Sequence, residues 1–369
     1  MDFALPPSDD PDRLEVRRWL ETHPNPSPRV MAEAGYVVPG WPRPWGRAAA
    51  PTQQLVISQE MEAAGIDPHQ HNPIGIGWAG PTILTAGTGE QKDRFLWPLL
   101  RGEEFWCQLF SEPGAGSDLA GLSTRAERDG DDWIVNGQKV WTTWAGQADF
   151  GILLARTDPG APRHRGISYF ICPMRQDGIE VRPIKEMTGR SHFNEVFISD
   201  VRIPGNLLVG AENQGWALAK LTLGNERISL SGGGVLWGMG PTTAEVLDSL
   251  RGRLGGPARD RAATLFIEGE IIRLLGYRIV SDFIAGRPPG PEVAVKKLVA
   301  DRHGQRAMDL VRDCMGAEGM VAGEDEAAWG YLFSPALTVG GGTSEILHNV
   351  IGEQVLGLPK DQAVEGQHL

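Results

Sequence analysis

Apolar residues along the first hundred positions recur at helical spacing. The clearest set ends at Gly65 and comprises Leu55, Ile57, Met61 and Ala64. Two further helices are predicted, from about Pro81 to Leu84 and from Gly89 to Leu100. The run from His23 to Pro51 is rich in Pro, Gly and Trp, and we expect a loop there.

The pattern changes near residue 107, where apolar residues fall in short runs separated by Gly, Pro and Asp. Several short runs at this spacing predict a small antiparallel β-domain. Asn136-Gly137 lies between two β-prone runs, and this pair favours a two-residue hairpin turn because it accepts positive φ angles. The other predicted strands are 150–155, 166–172, 178–184 and 193–203.

Helical spacing returns from Trp216 onward, where Leu218, Leu221 and Ile228 share one face. Later helices are predicted at about 259–284, 292–316 and 344–356. The order of helices, strands and helices predicts an α+β multidomain protein. We expect an N-terminal helical domain, a middle antiparallel β-domain and a C-terminal helical domain, with the boundaries 1–106, 107–205 and 206–369.

Composition and charge exclude several functional classes. Of the 369 residues, 41% are apolar and 22% are charged, so sizeable cores can form and global disorder is excluded. The net charge of −12 argues against binding to nucleic acid and to anionic membrane surfaces. Cys107, Cys172 and Cys314 lie far apart and form no disulfide framework, which favours a reducing cytoplasm.

The chain carries no pattern typical of a targeting or membrane-spanning segment. Its first ten residues lack the basic start and apolar stretch of a signal peptide, so we expect none. Three long uncharged stretches are each interrupted by Gly and Pro, so none predicts a spanning helix; they are 72–89, 228–244 and 327–344. We therefore expect a cytoplasmic protein that binds no membrane.

Two familiar patterns carry little functional weight. The segment from Gly75 to Gly80 matches G-x-G-x-x-G, but no strand precedes it, so helix packing explains it better than dinucleotide binding. His69 and His71 have no third ligand at metal spacing, and we expect no metal site. The motifs of serine hydrolases and P-loop proteins are absent from the sequence.

The segment Phe-Ser-Glu-Pro-Gly-Ala-Gly-Ser-Asp-Leu-Ala-Gly, residues 110–121, is a Gly-rich turn that opens the predicted β-domain. Its small residues let a ligand approach the backbone closely, and its free N–H groups can hold anionic oxygens. Ser111 and Ser117 add hydroxyl groups. An ordinary surface turn is the alternative interpretation.

This turn, together with Lys-Val-Trp-Thr-Thr at 139–143, resembles the flavin-binding signature of the acyl-CoA dehydrogenase family. Further segments resemble the same family in the same order, so the resemblance covers nearly the whole chain; they are 80–84, 87–92, 201–204, 212–216, 341–346 and 351–360. The resemblance implies an N-terminal α-domain, a middle β-domain and a C-terminal four-helix bundle. It also implies an FAD held between the β-domain and the bundle at a subunit interface.

The resemblance assigns cofactor-binding roles within the two signature segments. It places Phe110 and Ser111 at the pyrimidine side of the flavin, and Ser117 near the pyrophosphate in the same turn as Gly116. Trp141 would pack on the ring system, where a flat indole can bury its edge. Thr143 would form a hydrogen bond near N5. Without the resemblance, Trp141 would be interpreted as a core aromatic residue of the β-domain.

The family removes an α-proton from an acyl-CoA with a carboxylate while the β-hydrogen leaves as hydride to the flavin. In most of the family the base is a Glu immediately before the Gly-Thr-Ser of the C-terminal segment, but here that position is Gly341. A minority branch carries the base on the first bundle helix, where this chain has Glu226 followed by Arg227. We expect Glu226 to be the base and Arg227 to support the flavin–substrate region. A solvated helix Glu is the alternative.

A second departure concerns the partners. The family commonly carries Arg-x-x-Phe-Gly, whose Arg reaches the FAD of a neighbouring subunit, but the stretch 250–257 lacks it. The resemblance therefore implies either a homo-oligomer or a heteromer with a paralogous subunit, with electron-transferring flavoprotein or a similar acceptor. Three alternatives remain: a non-catalytic or half-site subunit, a flavin oxidase or monooxygenase, and a substrate acyl group on a carrier protein.

Overall fold

The computed structural model describes residues 6–284, 287, 290–320 and 326–360. The chain divides into two compact units, residues 1–226 and 227–369. The predicted order of helices, strands and helices is confirmed. Within the described residues, no helix is both long and apolar enough to cross a membrane.

From residue 6 onward, the described part of the first unit begins with five α-helices, and capping side chains start several of them; they are α1 (Pro11–Thr22), α2 (Pro28–Glu33), α3 (Pro51–Ala63), α4 (Gly80–Ala86) and α5 (Gly89–Leu100). The prediction of a continuous loop from His23 to Pro51 was wrong, because α2 lies within it. Ser27 accepts a hydrogen bond from the Val30 N–H and Pro28 occupies the first turn, which together start this short helix.

In the part of the chain that the structure describes, eight strands form one sheet; they are β1 (Trp106–Leu109), β2 (Arg125–Asp129), β3 (Asp132–Thr143), β4 (Phe150–Arg156), β5 (Ile167–Pro173), β6 (Ile179–Pro183), β7 (Phe193–Ile203) and β8 (Leu208–Val209). The strand order is β6-β7-β3-β2-β4-β5-β8, and β1 pairs with β4. The main pairings are antiparallel, but β1 runs parallel to β4, and β2 and β4 share one parallel pair. The four strands predicted by residue range are confirmed.

The predicted hairpin at Asn136-Gly137 was wrong. This pair lies inside β3, at a bulge where the register against β7 shifts. The Asn136 side chain exchanges hydrogen bonds with Asp200 at 2.9 Å, and a Cβ on Gly137 would lie 2.4 Å from Thr124 Oγ1. The glycine thus serves close packing. The true hairpin joins β2 to β3 through Gly130, which has a φ of 61°.

Apolar cores lie on both faces of this sheet. On β4, Ile152 and Leu154 pack into a core shared with α4 and α5, whereas Leu153 and Ala155 pack into the core on the opposite face. This alternation follows the two-residue period of a strand. The strands β4 and β5 are therefore buried on both sides, whereas β2 and β6 are largely exposed.

The remaining helices are α6 (Gly215–Leu230), α7 (Thr243–Ser249), α8 (Pro257–Ile284), α9 (Val293–Met315), α10 (Glu326–Phe333) and α11 (Ser344–Val350). A π-helical turn extends α11 to Val355. The bounds of α8, α9 and α11 lie close to those predicted from the sequence. The helix α6 ends just before the Gly232-Gly-Gly234 run. The three domain boundaries given above remain predictions.

Candidate active site

Glu226 lies on the buried face of α6, within the first unit. The residues Gly215, Ala219, Thr222 and Glu226 follow one another at helical spacing and are all buried. Only 6% of Glu226 is exposed. A solvated helix Glu is therefore excluded, and this carboxyl group occupies the environment in which a base can act.

The start of α6 lies against the sheet because Gly215 carries no side chain. A Cβ at this position would lie 2.5 Å from the backbone carbon of Ser168 and 2.8 Å from the N of Tyr169, both on β5. Any other residue would push the helix away from the strand. This contact fixes where the helix begins and therefore where Glu226, eleven residues later, is placed.

One turn before Glu226, three buried hydroxyl groups hold α6 in place. Thr222 Oγ1 lies 2.8 Å from Thr82 Oγ1 on α4 and 3.1 Å from the Tyr169 hydroxyl on β5. Burial raises the pKa of Tyr169, so its hydroxyl stays protonated and can donate. Sequence reasoning missed this cluster, since no pattern in the sequence links α4, β5 and α6.

The Glu226 carboxyl group has a direct partner on β1. Gln108 Nε2 donates a hydrogen bond to Glu226 Oε2 at 3.2 Å. Sequence reasoning missed Gln108 as well, because a lone Gln in a short apolar strand carries no signal of function. A strand and a helix remote in sequence thus bring these two side chains together.

Arg227 and the glycines near the C-terminus belong to the second unit. Gly341 and Gly342 have φ angles of 68° and 96°, which favour glycine. A Cβ on Gly342 would lie 3.9 Å from Arg227 Nη2. The guanidinium that follows the predicted base therefore lies beside the turn to which the resemblance assigns the more usual base position.

The two signature segments are joined by backbone and side-chain hydrogen bonds. The Val140 N–H donates to the Ser111 carbonyl at 2.9 Å, and Lys139 Nζ donates to the Phe110 carbonyl at 3.2 Å. Residues that lie 29 positions apart in the sequence are thus held side by side, with Phe110 and Lys139 both buried. The structure brings together the segments to which the resemblance assigned flavin binding.

A buried ion pair lies where the two signature segments meet. Lys139 Nζ lies 2.8 Å from Glu112 Oε1, and both side chains are buried. Glu112 also accepts hydrogen bonds from the N–H and hydroxyl groups of Ser123 and from the Thr124 N–H, at 2.6–2.9 Å. It therefore closes the Gly-rich turn upon itself. Sequence reasoning missed the pair, although opposite charges in the two signature segments gave a possible signal.

The charge state of the pair follows from its surroundings. Burial alone would raise the pKa of Glu112, but the charge and hydrogen bond of Lys139, with the Thr124 and Ser123 donors, outweigh it and lower the pKa to about 2. Burial lowers the pKa of Lys139 to about 8, against the opposing effect of Glu112. Both groups are therefore ionised near neutral pH.

We expect protonation of Glu112 to lower the stability of the protein in acid. Because its folded pKa lies below its ordinary value of 4.5, its stabilisation is present above that pH and is lost as the pH falls toward 2. Protonation of this one group contributes at most about 1.4 kcal/mol per pH unit to the slope of the unfolding free energy. Denaturant unfolding at a series of pH values measures it.

The slope should become shallower in Glu112→Gln, measured against the parent. Glu127→Gln provides the matched control, because Glu127 is exposed and lies 3.6 Å from Arg125 on the surface, where such a pair contributes little. An unchanged acid slope in Glu112→Gln would contradict the assignment.

Trp141 stands out from the sheet. It has a φ of 60°, which is rare for an aromatic residue, at a second bulge of β3, and 60% of it is exposed. The alternative of a core aromatic residue is therefore excluded. A strained, exposed indole at a bulge indicates a binding surface.

The other predicted cofactor contacts lie in the Gly-rich turn and at the end of β3. Thr143 is half-buried at the end of β3, while Gly116 and Ser117 are exposed. A Cβ on Gly116 would meet no atom within 4 Å, so the space over the turn is open. The neighbouring Thr142 has a buried hydroxyl oxygen with no hydrogen-bond partner among the described residues. An accessible backbone at Gly116, nearby hydroxyl groups and the exposed indole ring of Trp141 fit a flat, anionic cofactor such as FAD.

The two motifs set aside above have structural partners. His69 Nε2 lies 3.0 Å from the Val37 carbonyl, and His71 Nε2 lies 3.2 Å from the Leu100 carbonyl. No group of three possible metal ligands is found among the described residues. The glycine pattern at 75–80 forms a π-helical turn leading into α4, where a Cβ on Gly80 would lie 2.7 Å from the Trp41 ring.

Three family models match the chain in order. The acyl-CoA dehydrogenase N-terminal domain matches residues 11–103, the middle domain matches 107–201 and the C-terminal domain matches 213–356. The chain belongs to the acyl-CoA dehydrogenase family. Enzymes of this family are FAD-dependent oxidoreductases of lipid metabolism, so the predicted family, enzyme class and cofactor are confirmed.

Curated relatives and a solved structure agree with this assignment. Acyl-CoA dehydrogenase FadE34 of Mycobacterium tuberculosis is 44% identical over 90% of this chain. The match covers 46% of that relative, so this chain spans about half of its length. Acyl-CoA dehydrogenase IpdE1 of the same species is 38% identical over 90% of this chain and 87% of its own length. The ChsE4–ChsE5 complex of Mycobacterium tuberculosis is 29% identical, with a TM-score of 0.79 over 98% of this chain and 100% of that chain.

Proposed function

We propose that this chain catalyses the α,β-dehydrogenation of an acyl-CoA thioester, with Glu226 as the base that removes the α-proton. The observation that carries the proposal is the position of Glu226, buried on α6 and hydrogen-bonded to Gln108. The usual family position offers no carboxylate in its place, since Gly341 has no side chain.

In the proposed reaction, the thioester of the substrate and the side chain of Glu226 have separate roles. The thioester makes the α-C–H bond acidic, and the Glu226 carboxylate takes that proton and becomes a carboxylic acid. FAD, when bound, supplies the acceptor for the hydride that leaves the β-carbon. In general, a carboxyl group removed from water is a stronger base than a solvated one, which is why a buried position suits this role.

The proposed cofactor contacts are Phe110, Ser111, Gly116, Ser117, Trp141 and Thr143. The hydrogen bonds between the 110–111 and 139–140 segments hold this surface together, and the exposed Trp141 ring offers a face for stacking. We propose that Arg227 supports the flavin–substrate region as a fixed positive charge beside the Gly341-Gly342 turn.

The function as a whole is tested by anaerobic mixing of the purified protein, alone and together with its proposed partner subunit, with a panel of acyl-CoA thioesters, while the visible flavin absorbance is followed. Bleaching by at least one thioester supports dehydrogenation. Oxygen consumption coupled to substrate oxidation would instead indicate an oxidase or monooxygenase. Bleaching only by acyl groups attached to an acyl carrier protein would instead show that the substrate is a carrier-protein thioester and not an acyl-CoA. Electron-transferring flavoprotein is the proposed acceptor.

We further propose a paralogous partner subunit. Support comes from the missing Arg-x-x-Phe-Gly motif, from the heteromeric ChsE4–ChsE5 relative and from an apolar stripe on α8. The stripe consists of exposed residues, 42–57% accessible: Phe266, Ile267, Ile271 and Leu274. An exposed apolar stripe of this length is typical of an interaction surface. A half-site role within such a heteromer is the second candidate function.

We expect the chain to hold little FAD when purified alone and about one FAD per flavin site when co-purified with its partner. The physical reason is that an anionic pyrophosphate lacks its usual cationic partner within a homo-oligomer. FAD content by absorbance, with mass by light scattering, measures this for the chain alone and with a paralogous acyl-CoA dehydrogenase chain of the same organism. A homotetramer carrying one tight FAD per subunit would contradict it.

The proposed location is the cytoplasm. The supporting observation is that Cys107, Cys172 and Cys314 are all free thiols.

A further inference from the structure

Gln108 is held rigidly at the centre of β1. Its neighbours Cys107 and Leu109 are fully buried, and the strand pairs with β4 in a parallel register that places Gln108 opposite Ile152. The side chain extends to α6, where Nε2 lies 3.2 Å from Glu226 Oε2. The amide nitrogen faces the carboxylate because the amide oxygen would be repelled there.

The other end of the same carboxamide is unsatisfied. Gln108 Oε1 is buried and has no hydrogen-bond partner among the described residues. A buried acceptor without a donor is unfavourable, so a group that donates to it is expected in some state of the enzyme. The reaction itself creates such a group next to this atom, because Glu226 becomes a carboxylic acid.

Resting on the proposed role of Glu226, we propose that Gln108 is the positioning residue of the base in both of its protonation states. In the resting state its N–H orients the carboxylate by donating to Oε2. After the α-C–H bond breaks, the new O–H of Glu226 donates to Gln108 Oε1 while the amide N–H still donates to the other acid oxygen. The electron pair of the α-C–H bond forms the new C=C bond as hydride leaves the β-carbon, and FAD, when bound, would accept that hydride. Gln108 itself neither gains nor loses a proton.

A carboxamide is suited to this pairing because it presents one donor and one acceptor side by side, as a carboxylic acid does. An apolar side chain of the same length would offer neither, and the buried base would lose its orientation. Misplacing a reacting group by about 1 Å costs up to about 100-fold in rate. We therefore expect the rate of proton removal, and not substrate binding, to depend on Gln108.

The experiment compares Gln108→Met with the parent, in the complete protein with its FAD and any partner subunit. We expect flavin reduction by a saturating acyl-CoA to slow by about 10- to 100-fold. Substrate affinity, FAD content and the unfolding midpoint should change little. Gln176→Met is the matched control, because Gln176 is a partly buried amide whose side chain donates to the Pro173 carbonyl at 2.7 Å.

A second readout needs no flavin turnover. Vibrational spectroscopy detects the C=O stretch of protonated Glu226, and the loss of this band in Glu226→Gln identifies it. The band should move to higher frequency in Gln108→Met because the Glu226 carbonyl loses a hydrogen bond. If Gln108→Met does not fold, Gln108→Asn takes its place, since it keeps the amide but withdraws it by one methylene. The same slowing and the same frequency shift are then expected.

The outcomes separate this inference from the function on which it rests. In the Glu226→Gln background, Gln108→Met should cause no further slowing, because its effect passes through the base. If the flavin of Gln108→Met is reduced at the parent rate while Glu226→Gln is inactive, the proposed role of Gln108 is wrong. The proposed function would still stand. A loss confined to substrate affinity would also overturn the role of Gln108. An active Glu226→Gln would instead remove the proposed base itself.

Discussion

Glu226→Gln is expected to slow flavin reduction by acyl-CoA by about 10²- to 10⁴-fold. The amide has nearly the shape of the carboxyl group but cannot take the α-proton. It can still pair with Gln108, so the packing of α6 and the content of FAD should be preserved. Anaerobic stopped-flow measurement of flavin absorbance, over a range of substrate concentrations, separates the rate of reduction from substrate affinity.

Glu212→Gln is the matched control for this variant. Glu212 lies shortly before α6, is exposed and pairs with Arg128 on the surface at 3.0 Å, so its loss should leave the rate unchanged. Reduction of Glu226→Gln at the parent rate would eliminate Glu226 as the base. The architecture and the family assignment would be unaffected by that result.

Lys139→Met is expected to destabilise the protein by about 3–5 kcal/mol, because removing one member of a buried ion pair leaves the other uncompensated. Glu112 would keep its hydrogen bonds to Ser123 and Thr124 but lose the charge that faces it. The Phe110 carbonyl would lose its donor as well. We therefore expect FAD affinity to fall together with the free energy of unfolding. Denaturant unfolding and FAD titration of the apoprotein measure the two effects.

The double variant Glu112→Gln/Lys139→Met tests the cause. Replacing both partners removes the unpaired charge, so it should recover part of the stability lost in Lys139→Met. Lys220→Met serves as a control for the loss of a lysine, since Lys220 is exposed on α6. If Lys139→Met unfolds like the parent, the pair contributes nothing to the turn, and its assigned role is wrong.

Local signals in the sequence predicted much of the fold. The strands β4 to β7 are short apolar runs bounded by Gly, Pro or Asp, and the helices α8 and α9 have long helical periods. For α5, Thr88 and Gln91 form a capping box that marks the start. In each case the information lies within a few residues of the element itself.

The errors occurred where distant partners decide the local structure. Asn136-Gly137 has the chemistry of a hairpin turn, but the bonds of Asn136 to Asp200 and the contact of Gly137 with Thr124 place it inside a continuous strand. The helix α2 is too short for a periodic pattern. The strand β1 is only four residues long and becomes recognisable through its pairing with β4.

The candidate site divides in the same way. Glu226 was predicted because the resemblance identified Gly341 as an empty base position and Glu226 as its replacement. Its burial depends on how α6 packs against β5 and α4, which no residue pattern reveals. Gln108 and the Glu112–Lys139 pair lie in strands and turns joined only by tertiary contacts, so the sequence alone could not identify their roles.

Hydrogen exchange at the substrate α-carbon shows whether Glu226 removes the α-proton. An acyl-CoA with no hydrogen on its β-carbon, incubated with the FAD-loaded protein in D₂O, reports proton removal without hydride loss. Mass spectrometry should detect deuterium entering the α-position with the parent and with Glu212→Gln, and only background exchange with Glu226→Gln. Exchange by Glu226→Gln at the parent rate would show that another group removes the α-proton.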